Sequence, residues 1–198
     1  MFDWIKSINK EHPEFWKTYL SKFGTKPERY VVVSVETTGL NPHKDVILSF
    51  GAFGVQNDSV LIGDNFEVVI LQYKYLHDNA LSNEFLIESK LPKMAEPIAL
   101  QTFVEYIGNS TLVGHRIHFD IQIINEVLGK MDCGRLKNEA LDIEIMHQKL
   151  MDITNKTFSL DELAAIYKVP QSDRVTVSDD AYSIALLFLK LKSRLGFK

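Results

Sequence analysis

The chain has 198 residues, 45% of them hydrophobic and 24% charged, and a formal net charge of −4. That length and balance fit one soluble globular domain of ordinary size with an appendage, and they disfavour a protein that coats nucleic acid, whose affinity comes from neutralising phosphates with surplus basic charge. No run approaches the ~18 apolar residues of a membrane span, and a single cysteine, Cys133, excludes an internal disulfide and a multi-cysteine zinc site.

The first ten residues mix Asp3, Lys6 and Lys10 with apolar side chains and offer no small-residue cleavage site. They do not read as a signal peptide, and a cytoplasmic location is the simplest expectation. Pro13 then suits the first turn of a helix, with Glu14 behind it to complement the dipole. Phe15, Trp16, Tyr19, Leu20 and Phe23 recur at helical spacing on one face. The favoured expectation is that this face caps the core; the alternative is that it docks a protein partner. Gly24 and Pro27 punctuate the boundary, so residues 1–28 read as a helical N-terminal extension and residues 29–198 as the main domain.

Three strands follow, about Tyr30–Glu36, Val46–Val55 and Val60–Ile70. The turn Gln56-Asn57-Asp58-Ser59 joins the second to the third, which predicts an antiparallel meander. Gly51 and Gly54 weaken the middle strand or mark a close approach of backbone. Residues 71–95 carry no clear periodicity. From Glu96, the stripe Ile98, Leu100, Phe103, Val104 and Ile107 predicts a helix ending near Gly108-Asn109. Thr111-Leu112-Val113 is a short buried strand, and Ile121, Ile124, Val127 and Leu128 trace a helix with Gly129 at its end.

The last third reads as helical. Ile143, Ile145 and Met146 fall in one short helix, and Ser159-Leu160-Asp161-Glu162 is a capping box before another, which Pro170 closes. Ala181, Ile184, Ala185, Phe188 and Leu191 form the buried stripe of a terminal helix, with Ser178 or Asp179 as its cap. A meander followed by helix, strand and helices is a mixed α/β domain.

Chemistry concentrates in three carboxylates. Residues two apart on a strand share a face, so Ser34 and Glu36 lie together while Val33 and Val35 face the other way. Glu36 stands where the strand runs into Thr37-Thr38-Gly39-Leu40. Asp120 follows the Leu112-Val113-Gly114-His115 segment at a helix start, and Asp180, after Asp179, opens the terminal helix. Each has an ordinary role available: a solvated charge for Glu36, a dipole partner for the two aspartates. Together, three carboxylates at element ends suit Mg²⁺ or Mn²⁺, hard ions that prefer oxygen.

Ser34-Val35-Glu36-Thr37-Thr38-Gly39-Leu40, Leu112-Val113-Gly114-His115 with Phe119-Asp120, and Val175-Thr176-Val177-Ser178-Asp179-Asp180-Ala181 resemble the three motifs of the DEDD (DnaQ-like) 3′–5′ exonucleases. This group, on a ribonuclease H-like fold, includes the proofreading subunit of bacterial DNA polymerase, and the resemblance covers about residues 29–195. It implies a mixed sheet flanked by helices. It also implies metal-dependent phosphodiester hydrolysis at single-stranded DNA or RNA 3′ ends, without a membrane. Glu36, Asp120 and Asp180 would be the catalytic metal ligands for one or two Mg²⁺ or Mn²⁺ ions. Thr37, Thr38, Gly39 and Leu40 would line the pocket of the 3′-terminal nucleotide.

Two positions depart from the family pattern. Ser34 stands where the first motif carries an aspartate that bridges both ions, and Val175 stands where the third carries a general-base histidine. Thr176 occupies the place of the tyrosine used by a sister subgroup, and shifting the register to Asp179 offers only Arg174 or Val175. The expectation is therefore weak metal binding and impaired hydrolysis. The alternative is an inactive module that binds nucleic-acid ends or a protein, and His115, His118 and Asp179 are the residues that could supply a substitute base.

Overall fold

The computed structural model describes residues 12–27, 29–72, 90–170 and 176–196. Their centre is a six-stranded mixed sheet in the order β4-β3-β2-β1-β5-β6. The strands are β1 (Tyr30–Thr37), β2 (Ile47–Gln56), β3 (Ser59–Ile70), β4 (Lys93–Met94), β5 (Thr111–Gly114) and β6 (Ala140–Asp142). The helices are α1 (Glu14–Ser21), α2 (Glu96–Ile107), α3 (Ile117–Lys130), α4 (Ile143–Met151), α5 (Leu160–Tyr167) and α6 (Val177–Leu195). The expected α/β sheet flanked by helices is present, as is the N-terminal helix.

The meander β1–β2–β3 is antiparallel, while β5 pairs parallel to β1 and β6 parallel to β5. Its second turn is as short as a hairpin permits: Gln56 pairs with Ser59, and Asn57 and Asp58 both take positive φ. That is the primed turn whose twist matches the flanking strands, and Asn and Asp tolerate it best after glycine.

Strand parity sorts the core into two layers. Val31, Val33, Phe50, Ala52, Val68 and Ile70 pack under α2 and α3 on one face, whereas Val32, Val55 and Val113 pack against α4, α5 and α6 on the other. Trp16 and Tyr19 of α1 join the first layer, each 1% exposed, so the aromatic face of this helix caps the core. Tyr19 also ties α1 to the segment before β6: its hydroxyl donates to Asn138 Oδ1 at 2.6 Å and accepts from Lys137 N at 2.8 Å.

Several local expectations need correction. α3 runs through Gly129 to Lys130, because the stop comes at Met131, whose N–H closes onto the preceding carbonyls. Ile98 and Ile145 point to solvent, off the buried stripes of their helices. α6 starts earlier than expected: Thr176 is its cap, in a capping box with Asp179. α5 keeps its box at Ser159 and Glu162, but it ends at Lys168 in the left-handed conformation, two residues before Pro170. β4 and β6 carry too few residues for alternation to be read.

The second layer contains a buried imidazole. His147 Nδ1 lies 2.7 Å from the Tyr167 hydroxyl, and the ring packs edge-on against Phe158. Burial lowers its pKa, the nearby Lys156 charge adds to this, and Glu144 opposes it. The unfolded chain therefore binds the proton better. Stability from this site is present above the ordinary histidine pKa of about 6.5 and is lost as pH falls through it. The unfolding free energy should therefore fall as the pH drops below about 6.5, and His147→Leu should flatten that dependence.

Among the described residues, no helix is long and apolar enough to cross a membrane.

Candidate functional site

Parallel pairing of β1, β5 and β6 puts their C-terminal ends at one edge of the sheet. Glu36 leaves β1 there, α3 with Asp120 follows β5, and Asp142 ends β6. Loops at the carboxyl ends of parallel strands are where open α/β sheets place their ligands.

Ser34 and Glu36 share the face covered by α6. Ser34 lies opposite Gly51 on β2, and a Cβ at Gly51 would stand 2.7 Å from the backbone of Val177 and Ser178. Gly51 therefore lets the first turn of α6, which carries Asp180, rest directly on the sheet beside Ser34. The expected close backbone approach is present at this glycine. Glu36 is exposed, and its Oε2 accepts a 2.8 Å hydrogen bond from Ser49 Oγ, the residue opposite it on β2.

Beyond Glu36 the chain turns tightly. Thr37 Oγ1 donates to the Gly39 carbonyl at 2.7 Å. Thr38 bridges to the start of β2, its N–H donating to the Val46 carbonyl and its Oγ1 accepting from Val46 N, both at 3.1 Å. Leu40 caps the turn with 85% of its surface in solvent.

Asp120 sits in the first turn of α3, 7% exposed. Burial raises its pKa well above the carboxylate range, and the charge of Asp142 raises it further. Asp142 is buried and fixes two helix starts at once: it accepts from Ile117 N at 3.1 Å and from Glu144 N at 2.8 Å. It replaces a side-chain cap that α3 lacks, since Arg116 at that position adopts a left-handed backbone. Glu144, also buried, accepts from Phe158 N at 2.6 Å and takes Arg116 Nε at 3.4 Å. Asp142, Glu144, Ser49 and Asp45 escaped the sequence reading. Only Asp142 had a signal, an aspartate just before the helical run Ile143–Met146.

Two of the three residues that could supply a substitute base have other tasks. His115 Nε2 hydrogen-bonds the Phe158 carbonyl at 2.8 Å, and Asp179 caps α6 through Thr176. His118 is exposed on α3. Val175 lies outside the described residues. The same edge thus receives Glu36, Asp120 and the helix bearing Asp180. Yet among the described residues no three His, Cys, Asp or Glu side chains are grouped to hold a metal ion. Ser34 contributes only a neutral hydroxyl, so the three candidate carboxylates carry three negative charges against the four positive charges of two divalent ions. Two clefts of about 490 and 540 Å³ open at the far end of β1, around Lys26, Arg29 and Gln56, roughly 20 Å of strand from Glu36.

A protein-family model described as "Exonuclease" matches residues 31–188. DNA polymerase III subunit epsilon of Buchnera aphidicola subsp. Acyrthosiphon pisum is 31% identical over 177 residues, spanning 82% of this chain and 72% of that protein. DNA polymerase III PolC-type of Caldanaerobacter subterraneus subsp. tengcongensis is 27% identical over 177 residues, 84% of this chain. The chain spans only 12% of that relative's length. Among solved structures, E. coli Exonuclease I in complex with a dT13 oligonucleotide superposes with a TM-score of 0.66 at 13% identity, covering 85% of this chain and 42% of the other. That likeness concerns the fold.

Proposed function

Because the chain belongs to the exonuclease family, whose pattern it carries over residues 31–188, we propose that it recognises single-stranded DNA or RNA 3′ ends in the cytoplasm while its Mg²⁺- or Mn²⁺-dependent phosphodiester hydrolysis is impaired. One contrast at the end of β1 carries this reading. The Thr37–Leu40 turn is stitched together and offers an exposed apolar side chain, whereas Ser34 stands in place of a carboxylate and, among the described residues, no three-donor group surrounds Glu36. Glu36, Asp120 and Asp180 remain the ligand candidates, and such a set, with three negative charges, would hold an ion weakly.

In this reading Thr37–Leu40 receives the terminal nucleotide, with Leu40 against its base. The exposed apolar contact suits a base of any identity, since every base presents a π face. On the N-terminal helix Trp16 and Tyr19 are buried in the core and Phe15, Leu20 and Phe23 pack against it part-buried, which favours the capping role for that face over docking a protein partner. Equilibrium binding of a linear 3′-hydroxyl oligonucleotide and its circular counterpart tests the reading. The linear form should bind more tightly, and Leu40→Ala should erase the difference; equal affinities would refute end recognition.

A further inference from the structure

We propose that Asp45 is a positioning residue for the terminal-nucleotide turn, fixing the backbone from which Leu40 projects; this rests on the reading of Thr37–Leu40 given above. Asp45 lies at the end of the β1–β2 loop, eight residues past Thr37, and belongs to none of the motifs that drew attention in the sequence. Its carboxylate reaches back over the turn. Oδ1 accepts from Thr38 Oγ1 at 2.8 Å and Oδ2 from Asn41 N at 2.7 Å, so one side chain holds the residues on both sides of the Gly39-Leu40 pair. The backbone closes the same ring, Asp45 N donating to the Asn41 carbonyl at 2.8 Å.

Gly39 is part of this arrangement. A Cβ there would stand 2.7–2.9 Å from the Asp45 carboxylate, so the glycine leaves the space into which the carboxylate fits. A second tether, between His43 Nδ1 and Glu126 Oε2 at 3.3 Å, links the loop to α3, the helix that bears Asp120. A single exposed leucine is ordinary on a protein surface. Here it stands on a nine-residue loop in which one carboxylate accepts hydrogen bonds from the residues on either side of the Gly39-Leu40 pair. Each Asp45 bond is charge-assisted, and losing both frees the turn to sample other conformations. The ordering cost would then fall on binding.

The test is a double-mutant cycle read by fluorescence anisotropy on a linear 3′-hydroxyl oligothymidylate and a circular oligothymidylate of equal length. Asp45→Ala should weaken the linear probe about tenfold and leave the circular probe unchanged, with Asp45→Asn between it and wild type because the amide keeps one acceptor. The Asp45→Ala/Leu40→Ala double variant should bind the linear probe within about twofold of Leu40→Ala alone, since Asp45 acts through Leu40. Multiplicative losses in the cycle, or wild-type binding by Asp45→Ala, would overturn the positioning role while end recognition stands. Failure of the wild type itself to prefer the linear probe would remove the end-recognition reading and this role with it. A loss of the circular dichroism spectrum in Asp45→Ala would show a folding role instead and would also overturn the proposal.

Discussion

A Ser34→Asp/Val175→His double substitution should raise Mn²⁺-dependent release of 3′-terminal nucleotides about 10²–10⁴-fold over wild type, the range that a positioned general base supplies. Ser34 offers a site that can take the change. It is half-buried within β1, faces Gly51 with no side chain opposite, and shares its sheet face with Glu36. A carboxylate there would add the fourth negative charge and bring the donors Ser34→Asp and Glu36 onto one strand face, two residues apart. Each single substitution should give less than the pair, because ligand and base act in one reaction and their effects are not additive. A double variant no faster than wild type would mean that neither position limits hydrolysis.

The second large effect concerns stability. Trp16→Ala should cost about 3–5 kcal/mol and lower the thermal midpoint by roughly 6–20 °C. The indole is fully buried in the first layer, its ring 4.6 Å from that of Tyr19, and Gly134 lies against its edge. Tyr19 is tied by its hydroxyl to the segment before β6. A helix that merely trails from the domain would tolerate the truncation within about 0.5 kcal/mol, as surface sites do. Thermal unfolding of Trp16→Ala beside a surface control such as Lys17→Ala separates the two cases.

Strands and helices with a full repeat were legible in the chain. β1, β2 and β3 announce themselves by apolar runs bounded by turn residues, and the α6 stripe Ala181, Ile184, Ala185, Phe188 and Leu191 is buried throughout. β4 and β6, of two and three residues, have no period to read; their places come from pairing with strands distant in sequence. In sequence Ser178 and Asp179 both look like caps of α6, whereas the reciprocal bonds of Thr176 and Asp179 place the cap at Thr176.

At the site, the parallel pairing of β1 and β5 brings Glu36, Asp120 and the Thr37–Leu40 turn to one edge of the sheet, whereas motif spacing named these residues without their convergence. Spacing could not supply Asp142, which joins the starts of α3 and α4 from a third element, or Ser49, which meets Glu36 only through the β1–β2 register. Asp45 and Gly39 illustrate the same limit: their fit is a property of the folded loop. Covalent order names the groups that can do chemistry, while the contacts that hold them come from pairings across the fold.

The central claim is that end recognition outlasts catalysis in this chain, and one time course addresses it directly. Wild-type protein in excess over a 5′-labelled single-stranded oligonucleotide is followed with Mg²⁺, with Mn²⁺ and with chelator, alongside Glu36→Ala. The oligonucleotide should remain bound and full-length in all conditions while the Ser34→Asp/Val175→His variant shortens it. Metal-dependent shortening by wild type at the rate of that variant, abolished in Glu36→Ala, would contradict the account and make this chain a working exonuclease.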